Sequence, residues 1–224
     1  MPAMILLFGA AVLAAQPTQS RLPETIQKLN AASAHFSNAR ASFKKDIYTA
    51  LVKDHEEQDG SIYFVRAKCG HTEMGAKITG AGARTVEYKN GTVRDWNQAA
   101  VNCVDSYSAG ANQSKLESLL TLGFGGSGTD LEKAWTIDDQ GPDTVDGVKV
   151  ERLDLVPKDA GLKGSITHVT LWLDLTRGVS LKQVFFMPSG DTQTAIYSKI
   201  ETNLPKLDTK AYEIKAPNCG AKAK

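Results

Sequence analysis

The chain has 224 residues, of which 26 are Lys or Arg and 25 are Asp or Glu, so its formal net charge is +1. This balance excludes the strongly basic field typical of nucleic-acid-binding proteins, and no acidic tail is visible. The length suits one domain with a sizeable core, since single-domain β sheets and barrels often reach this size.

The N-terminus predicts export. Residues 4–15 are almost wholly apolar, with small residues at the end of the run. The run is too short to span a bilayer, which takes about 20 apolar residues. It fits a secretory signal with a cleavage site near Ala14 or Ala15. We therefore predict a signal peptide over residues 1–15 and a single exported domain over residues 16–224, the alternative being an apolar N-terminal arm.

The first half of the exported domain is predicted to be one helix followed by strands. Leu22, Ile26, Leu29 and Phe36 recur at helical spacing, which predicts an amphipathic helix within residues 20–38. A short strand is expected within the glycine-rich residues 69–83. The other predicted strands cover residues 41–53, 61–68, 85–89, 92–96 and 102–108. Between the third and fourth of these, Asn90-Gly91 is typical of a two-residue hairpin turn.

The second half inserts helices before more strands. An apolar stripe at helical spacing, Leu116 to Phe124, leads into a glycine-rich loop over residues 123–128. Thr129 and Glu132 then have the spacing of a helix N-terminus. Strands are predicted over residues 135–138, 144–145, 148–157, 165–175, 179–187, 192–200 and 212–215. This order predicts a mainly β (α+β) fold, a curled antiparallel sheet with helices on one side.

The three cysteines are Cys69, Cys103 and Cys219. An oxidising compartment favours one disulfide and leaves one thiol over. Cys69 and Cys103 both lie near predicted strand ends, so we favour that pair. A pair that includes Cys219 is the main alternative.

No motif indicates catalysis, a metal or a cofactor. Residues 123–128 match G-x-G-x-x-G, but a dinucleotide site needs that loop inside a βαβ unit, and here hairpins follow. Cys69 and His71 form only one close pair, whereas structural zinc usually needs two. No G-x-S-x-G motif is present. We expect a protein that is not an enzyme and has no cofactor, with a lipid-active hydrolase as a less favoured alternative.

Several strands are apolar on both faces. In Ile62-Tyr63-Phe64-Val65, successive side chains point to opposite faces, yet all four are apolar or aromatic. For any one such residue a sandwich or barrel core is the better explanation. As a set they predict an apolar cavity for hydrocarbon. Burying a sixteen-carbon chain yields on the order of 12 kcal/mol, at about 0.8 kcal/mol per CH₂.

Four motifs in order resemble the LolA family of periplasmic outer-membrane lipoprotein carriers. The resemblance covers nearly all of the exported domain, and the order and spacing of the motifs make it more specific than any one of them. The motifs are Ala41-Ser42-Phe43, Gly60-Ser61-Ile62-Tyr63-Phe64-Val65-Arg66, Leu155-Val156-Pro157-Lys158, and Tyr212-Glu213-Ile214-Lys215-Ala216-Pro217 with Gly220. Ala67 and the cysteines depart from the family pattern.

The resemblance implies an incomplete antiparallel β-barrel closed by a helical lid around an apolar cavity. It implies a soluble, monomeric periplasmic carrier that binds lipoprotein acyl chains. Loading by an inner-membrane ABC transporter and delivery to an outer-membrane receptor would follow. The delivery step stays open, because the chain ends soon after Gly220. A sensor of envelope lipid or lipoprotein on the same fold is the alternative function.

The candidate site residues follow from the apolar faces and from the resemblance. Arg66 matches the family's arginine beneath the lid and would latch the lid shut; the alternative is a surface arginine at a strand end. The candidate cavity residues are Phe43, Ile47, Ile62, Phe64, Leu119, Leu120, Leu171 and Leu173.

Overall fold

The computed structural model describes residues 21–67, 71–80, 82–97 and 103–219. The predicted signal peptide and Cys69 lie outside the described residues. Within them, no helix combines the length and the apolar character needed to cross a membrane.

The described residues form a large sheet with short helices. The helices are α1 (Leu22–His35), α2 (Gln113–Leu120), α3 (Gly128–Ala134) and α4 (Ala160–Lys163). The strands are β1 (Asn38–Thr49), β2 (Asp54–Arg66), β3 (Thr72–Gly80), β4 (Arg84–Lys89), β5 (Thr92–Trp96), β6 (Asp105–Ser108), β7 (Trp135–Val145), β8 (Val148–Pro157), β9 (His168–Asp174), β10 (Val179–Phe186) and β11 (Thr192–Thr202).

The strands form one antiparallel sheet in the order β6-β5-β4-β3-β2-β1-β11-β10-β9-β8-β7. Hairpins connect most neighbours, while the α2–α3 segment leads from the β6 edge to the β7 edge. The two edge strands do not pair with each other, so the sheet is not closed into a barrel. This confirms the predicted mainly β fold class.

Helices α1, α2 and α3 and the loop between α2 and α3 pack on one face of the sheet, and we call them the lid. Helix α1 forms for local reasons and makes up one side of the lid. Pro23 lies in its first turn, where its missing N–H costs nothing, and Glu24 complements the helix dipole. The buried side chains lie at helical spacing: Thr25, Ile26, Leu29 and Ser33. The apolar face of α1 therefore covers the sheet, close to α3 and β7.

Two apolar clusters fill the space between helices and sheet. The first, which includes Phe36, Phe64 and Phe124, lies mostly over β1 to β5. The second lies over β7 to β9 and includes Trp135 and Leu29 of the lid side. Its strand residues are buried almost completely: Leu153, Leu155, Val169, Leu171 and Leu173.

The opposite face of β2 is covered by the C-terminal segment of the chain. The Tyr63 ring meets the Tyr212 ring edge-on at a centroid distance of 4.9 Å. Arg94 of β5 donates hydrogen bonds to the carbonyls of Ile214 at 3.0 Å and Ala216 at 3.2 Å. The predicted strand over residues 212–215 is wrong, because this segment is irregular after a single 3₁₀ turn. At Tyr63 the second apolar face of β2 is thus buried by protein.

The favoured cysteine pairing is also wrong. Cys103 forms its disulfide with Cys219 rather than with Cys69. The backbone brings these two together, since the Cys219 N–H donates to the Val104 carbonyl at 2.8 Å. The disulfide therefore joins the C-terminal segment to the residues just before β6.

Candidate functional site

A glycine-rich strap, residues 123–127, closes the lid over the sheet. Its backbone pairs with the start of β10: the Gly125 N–H donates to the Gly178 carbonyl at 3.0 Å, and the Ser180 N–H donates to the Gly123 carbonyl at 2.6 Å. Gly123 and Gly125 have φ values of +77° and +73°, which favour glycine. The strap therefore runs directly against the sheet.

Phe124 of the strap fills the interior over β1, β2 and β11. Its ring stacks on Phe64 at a centroid distance of 4.4 Å and meets Tyr197 edge-on at 4.9 Å. Phe43 lies 6.4 Å from the Tyr197 ring. Burial raises the pKa of Tyr197, which donates its hydroxyl hydrogen to Gln183 at 3.2 Å. Aromatic side chains therefore occupy the space predicted for a ligand on this side.

Arg66 connects β2 to two parts of the lid. Its Nη1 donates to the Ser33 carbonyl at 2.6 Å, and its Nη2 donates to the Ser33 hydroxyl at 3.0 Å and to the Gly125 carbonyl at 2.6 Å. The Ser33 hydroxyl in turn donates to the Gly125 carbonyl at 2.8 Å. These bonds join α1, the strap and the sheet. The contacts expected of a latch are present, and the latch role itself stays a prediction.

A cleft of about 910 Å³ lies between α2, the strap, α3 and α4. Apolar residues on its wall include Phe36, Val65, Leu116, Leu119 and Leu162. Its other walls are polar and charged. The ionic residues are Arg66, Lys115, Glu117, Asp130, Lys133, Lys158 and Asp159.

The charges of the cleft are mostly paired. Lys115 binds Asp159 at 2.8 Å, and Lys133 binds Asp130 at 2.9 Å. The Ser127 hydroxyl and then Lys133 lower the pKa of Asp130, while Lys115 lowers the pKa of Asp159. Lys158 donates to the Glu132 carbonyl at 2.6 Å. The cleft therefore has an ionic rim beside its apolar wall.

A second cavity of about 50 Å³ lies under the strap and against β9. Leu29, Leu122, Trp135, Leu171 and Leu173 are among its lining residues. It belongs to the second apolar cluster.

The structure separates the predicted cavity residues, together with the predicted latch Arg66, into three groups. Leu119 and Arg66 line the cleft, and Leu171 and Leu173 line the smaller cavity. The remaining residues line neither: Phe43 and Phe64 are buried, Ile62 and Leu120 pack against the first cluster, and Ile47 lies partly buried on β1. Their role in ligand binding stays a prediction.

Sequence reasoning missed two residues of this region. The apolar spacing predicts Phe124 on a helical stripe, but α2 ends at Leu120 and Phe124 belongs to the strap. The signal was its position between Gly123 and Gly125, which is unusual for a helix. Trp135 begins β7, which is much longer than predicted and tolerates Pro142 because it is an edge strand.

A scan against protein-family models finds no match, and neither does a search of curated protein sequences. Solved structures do show the same fold. An uncharacterized conserved protein from Thermus thermophilus is 8% identical with a TM-score of 0.54, over 89% of this chain and 98% of that one. MucB is 13% identical with a TM-score of 0.53, over 89% of this chain. This chain spans 64% of the MucB chain.

Two further structures complete the comparison. The Pseudomonas aeruginosa MucA/MucB complex matches at 14% identity and a TM-score of 0.50, over 84% of this chain and 59% of that one. A LolA superfamily protein from Nitrosomonas europaea matches at 11% identity, over 86% of this chain and 97% of that one. Its TM-score is 0.41. At these identities the similarities concern the fold alone.

Proposed function

We propose that this protein is a non-enzymatic periplasmic carrier that binds the acyl chains of lipoproteins between its sheet and its helical lid. The observation that carries this proposal is that the lid lies over an apolar face of the sheet and is attached to it by only a few polar bonds. Arg66 and the backbone of the strap make these bonds. The family resemblance of the sequence supports the same function. The carrier is monomeric and exported, receives cargo from an inner-membrane ABC transporter and passes it to the outer membrane.

The energies of opening and of binding are of similar size. Removing Phe124 from its contacts costs about 1.5–3 kcal/mol, and each hydrogen bond of Arg66 contributes about 1.5–3 kcal/mol. Opening the lid therefore costs roughly 6–12 kcal/mol, against on the order of 12 kcal/mol gained by a sixteen-carbon chain. Because the cost of opening is close to the gain on binding, the cargo can both enter and leave. The affinity of the partner protein for the cargo then decides the direction of transfer.

Mass spectrometry of the lipids extracted from the purified protein tests this function. We expect intact acylated molecules at a stoichiometry near one per chain. Absence of bound acyl species, together with no saturable binding of a fluorescent fatty acid, would overturn the proposal. Release of free fatty acid from an ester substrate during long incubation would favour a hydrolase instead.

A sensor of envelope lipid or lipoprotein is the second candidate function. The observation that favours it is the complex of MucB with MucA, in which a protein of this fold assembles with another protein. Incubation with membranes that contain triacylated lipoproteins separates the two. A carrier extracts the lipoprotein and gives it to acceptor membranes, whereas a sensor binds the acyl ligand without transferring it.

A further inference from the structure

The strap separates two halves of the interior that are packed differently. Over β1 and β2, Phe124 stacks directly on Phe64. Over β9, the cavity of about 50 Å³ lies between Leu29, Leu122 and Leu173. Its volume suits water-sized occupants, so an acyl chain can enter only if the strap moves.

Trp135 is one of the residues that line this cavity, and it has an unused hydrogen-bond donor. The residue is 1% exposed, and its indole Nε1–H has no acceptor among the described residues. A buried donor without an acceptor costs free energy, and tryptophan normally finds a partner when it is buried. Three hydroxyl groups on the cavity wall already donate their hydrogens to other protein groups, so they are not free to donate to a ligand. Ser118 donates to the Lys115 carbonyl, Thr121 to the Glu117 carbonyl and Ser127 to Asp130.

The cavity adjoins the cleft. Six residues line both spaces: Ser118, Thr121, Phe124, Gly126, Ser127 and Asp130. These residues lie on α2, in the turn after it, on the strap and on α3. Displacing the strap would therefore join the ionic rim of the cleft to the aliphatic side chains on β9.

We infer that an acyl chain enters from the cleft into the Leu171/Leu173 side of the interior, and that Trp135 donates its indole N–H to the carbonyl of the acyl ester or amide. This inference rests on the proposed carrier function and names the ligand class: an O- or N-acylated molecule rather than any hydrocarbon. The chain packs on β9, and the polar part of the ligand stays at the cleft.

A pair of matched ligands tests the role of Trp135. Palmitoyl lysophosphatidylcholine has an ester carbonyl, and its hexadecyl ether analogue lacks it. We expect the protein to bind the ester about fivefold to tenfold more tightly, as one net hydrogen bond predicts. Isothermal titration calorimetry below the micellar concentration of both probes measures the ratio.

Two tryptophan variants assign the preference. Trp135→Phe should bind both probes equally. Trp172→Phe is the matched control, since Trp172 lies under Lys182 at 4.5 Å, away from the cavity, and it should keep the preference.

The outcomes separate the two proposals. If neither probe binds the native protein, the carrier function fails. If both bind with equal affinity, the inference is overturned and the carrier function stands; this result is expected where a buried water satisfies the indole. A preference for the ester that survives in a folded Trp135→Phe variant overturns the inference as well.

Discussion

Arg66 links the sheet to the lid through the hydrogen bonds of a single side chain. A guanidinium carries five N–H donors in a fixed fork, so it can bond to both the Ser33 and Gly125 carbonyls at once. Each bond spans a boundary between the sheet and the lid. In the proposed carrier, opening of the lid breaks these bonds, and we therefore expect them to favour release of the ligand over retention.

Arg66→Leu should slow the release of a preloaded ligand while leaving loading almost unchanged. The substitution removes bonds of the closed state and leaves the apolar interior intact, so the liganded state gains relative stability. We expect release to be at least about tenfold slower, which corresponds to 1.4 kcal/mol. Stopped-flow transfer of a fluorescent acyl probe to acceptor vesicles measures it.

Arg40→Leu is the control for that experiment. Arg40 is exposed and pairs with Glu201 on the neighbouring strand β11, so its ion pair lies within the sheet. We expect its release rate to equal that of the native protein. Equal effects of Arg66→Leu on loading and on release would contradict the latch role.

Glu151 is a buried carboxyl that lies close to a second carboxyl. It is 6% exposed and lies beside Asp139, whose carboxyl accepts a hydrogen bond from Thr25 of α1 at 3.0 Å. Burial and then Asp139 raise the pKa of Glu151 above its ordinary value of 4.5. Arg21 lies 3.4 Å away but is more than half exposed, so it compensates little.

Glu151→Gln should stabilise the protein at pH 7. Because the folded pKa is raised, the unfolded chain ionises first as pH rises, and stability falls from pH 4.5 up to the folded pKa. The amide of Gln does not ionise, so the variant avoids this loss of stability at pH 7. Its advantage over the native protein should disappear below pH 4.5. Urea unfolding at pH 7 and at pH 4 measures both free energies. Glu201→Gln is the opposite control. Arg40 lowers the pKa of Glu201, so this substitution should destabilise the protein at pH 7. A less stable Glu151→Gln at pH 7 would show that the Arg21 pair dominates.

The strap is an element whose path depends on glycine. A Cβ on Gly125 would lie 2.2 Å from the Phe36 ring, which is itself buried. The strap could not then reach β10 and Arg66 together. Glycine therefore permits the close approach of lid and sheet that places Phe124 on Phe64.

Gly125→Ala should destabilise the protein by about 2–4 kcal/mol, combining a left-handed backbone penalty with overpacking. Gly141→Ala is the matched control, because Gly141 has a φ of +87° but open space around its Cβ position. We expect it to lose only about 1–2 kcal/mol. Urea unfolding compares the two, and equal losses would show that contact with Phe36 is unimportant.

The whole molecule is held together by its C-terminal segment as well as by its sheet. The Cys103–Cys219 disulfide closes a loop with a sequence separation of 116 residues. The same segment covers Tyr63 and binds Arg94. A long loop closed by a disulfide lowers the entropy of the unfolded chain, and the segment adds packing in the folded one.

Cys219→Ser should lower the free energy of unfolding by about 2–5 kcal/mol. Urea unfolding with and without reductant measures this, and reductant should have little further effect on the variant. Cys69→Ser is the control and should keep both the disulfide and the stability of the native protein. Peptide mapping that finds Cys69 linked to Cys103 would contradict the pairing.

Local patterns in the sequence determined the elements and much of their orientation. The stripe of α1 predicted a helix that the structure bounds at Leu22–His35. Asn90-Gly91 predicted a hairpin, and both residues have positive φ between the paired strands β4 and β5. Alternation along β2 placed Arg66 on the face of Ile62 and Phe64, where it meets the lid. These features depend on neighbours in the chain, so a single sequence is enough to predict them.

Only the tertiary structure decided what covers each apolar face. Tyr63 meets Tyr212, Phe64 meets Phe124, and Cys103 bonds to Cys219, all across long sequence separations. Periodicity shows that a face is apolar but does not identify the group that buries it. A ligand, a loop and a C-terminal segment satisfy the hydrophobic effect equally well, because that effect depends on the area removed from water and has no direction.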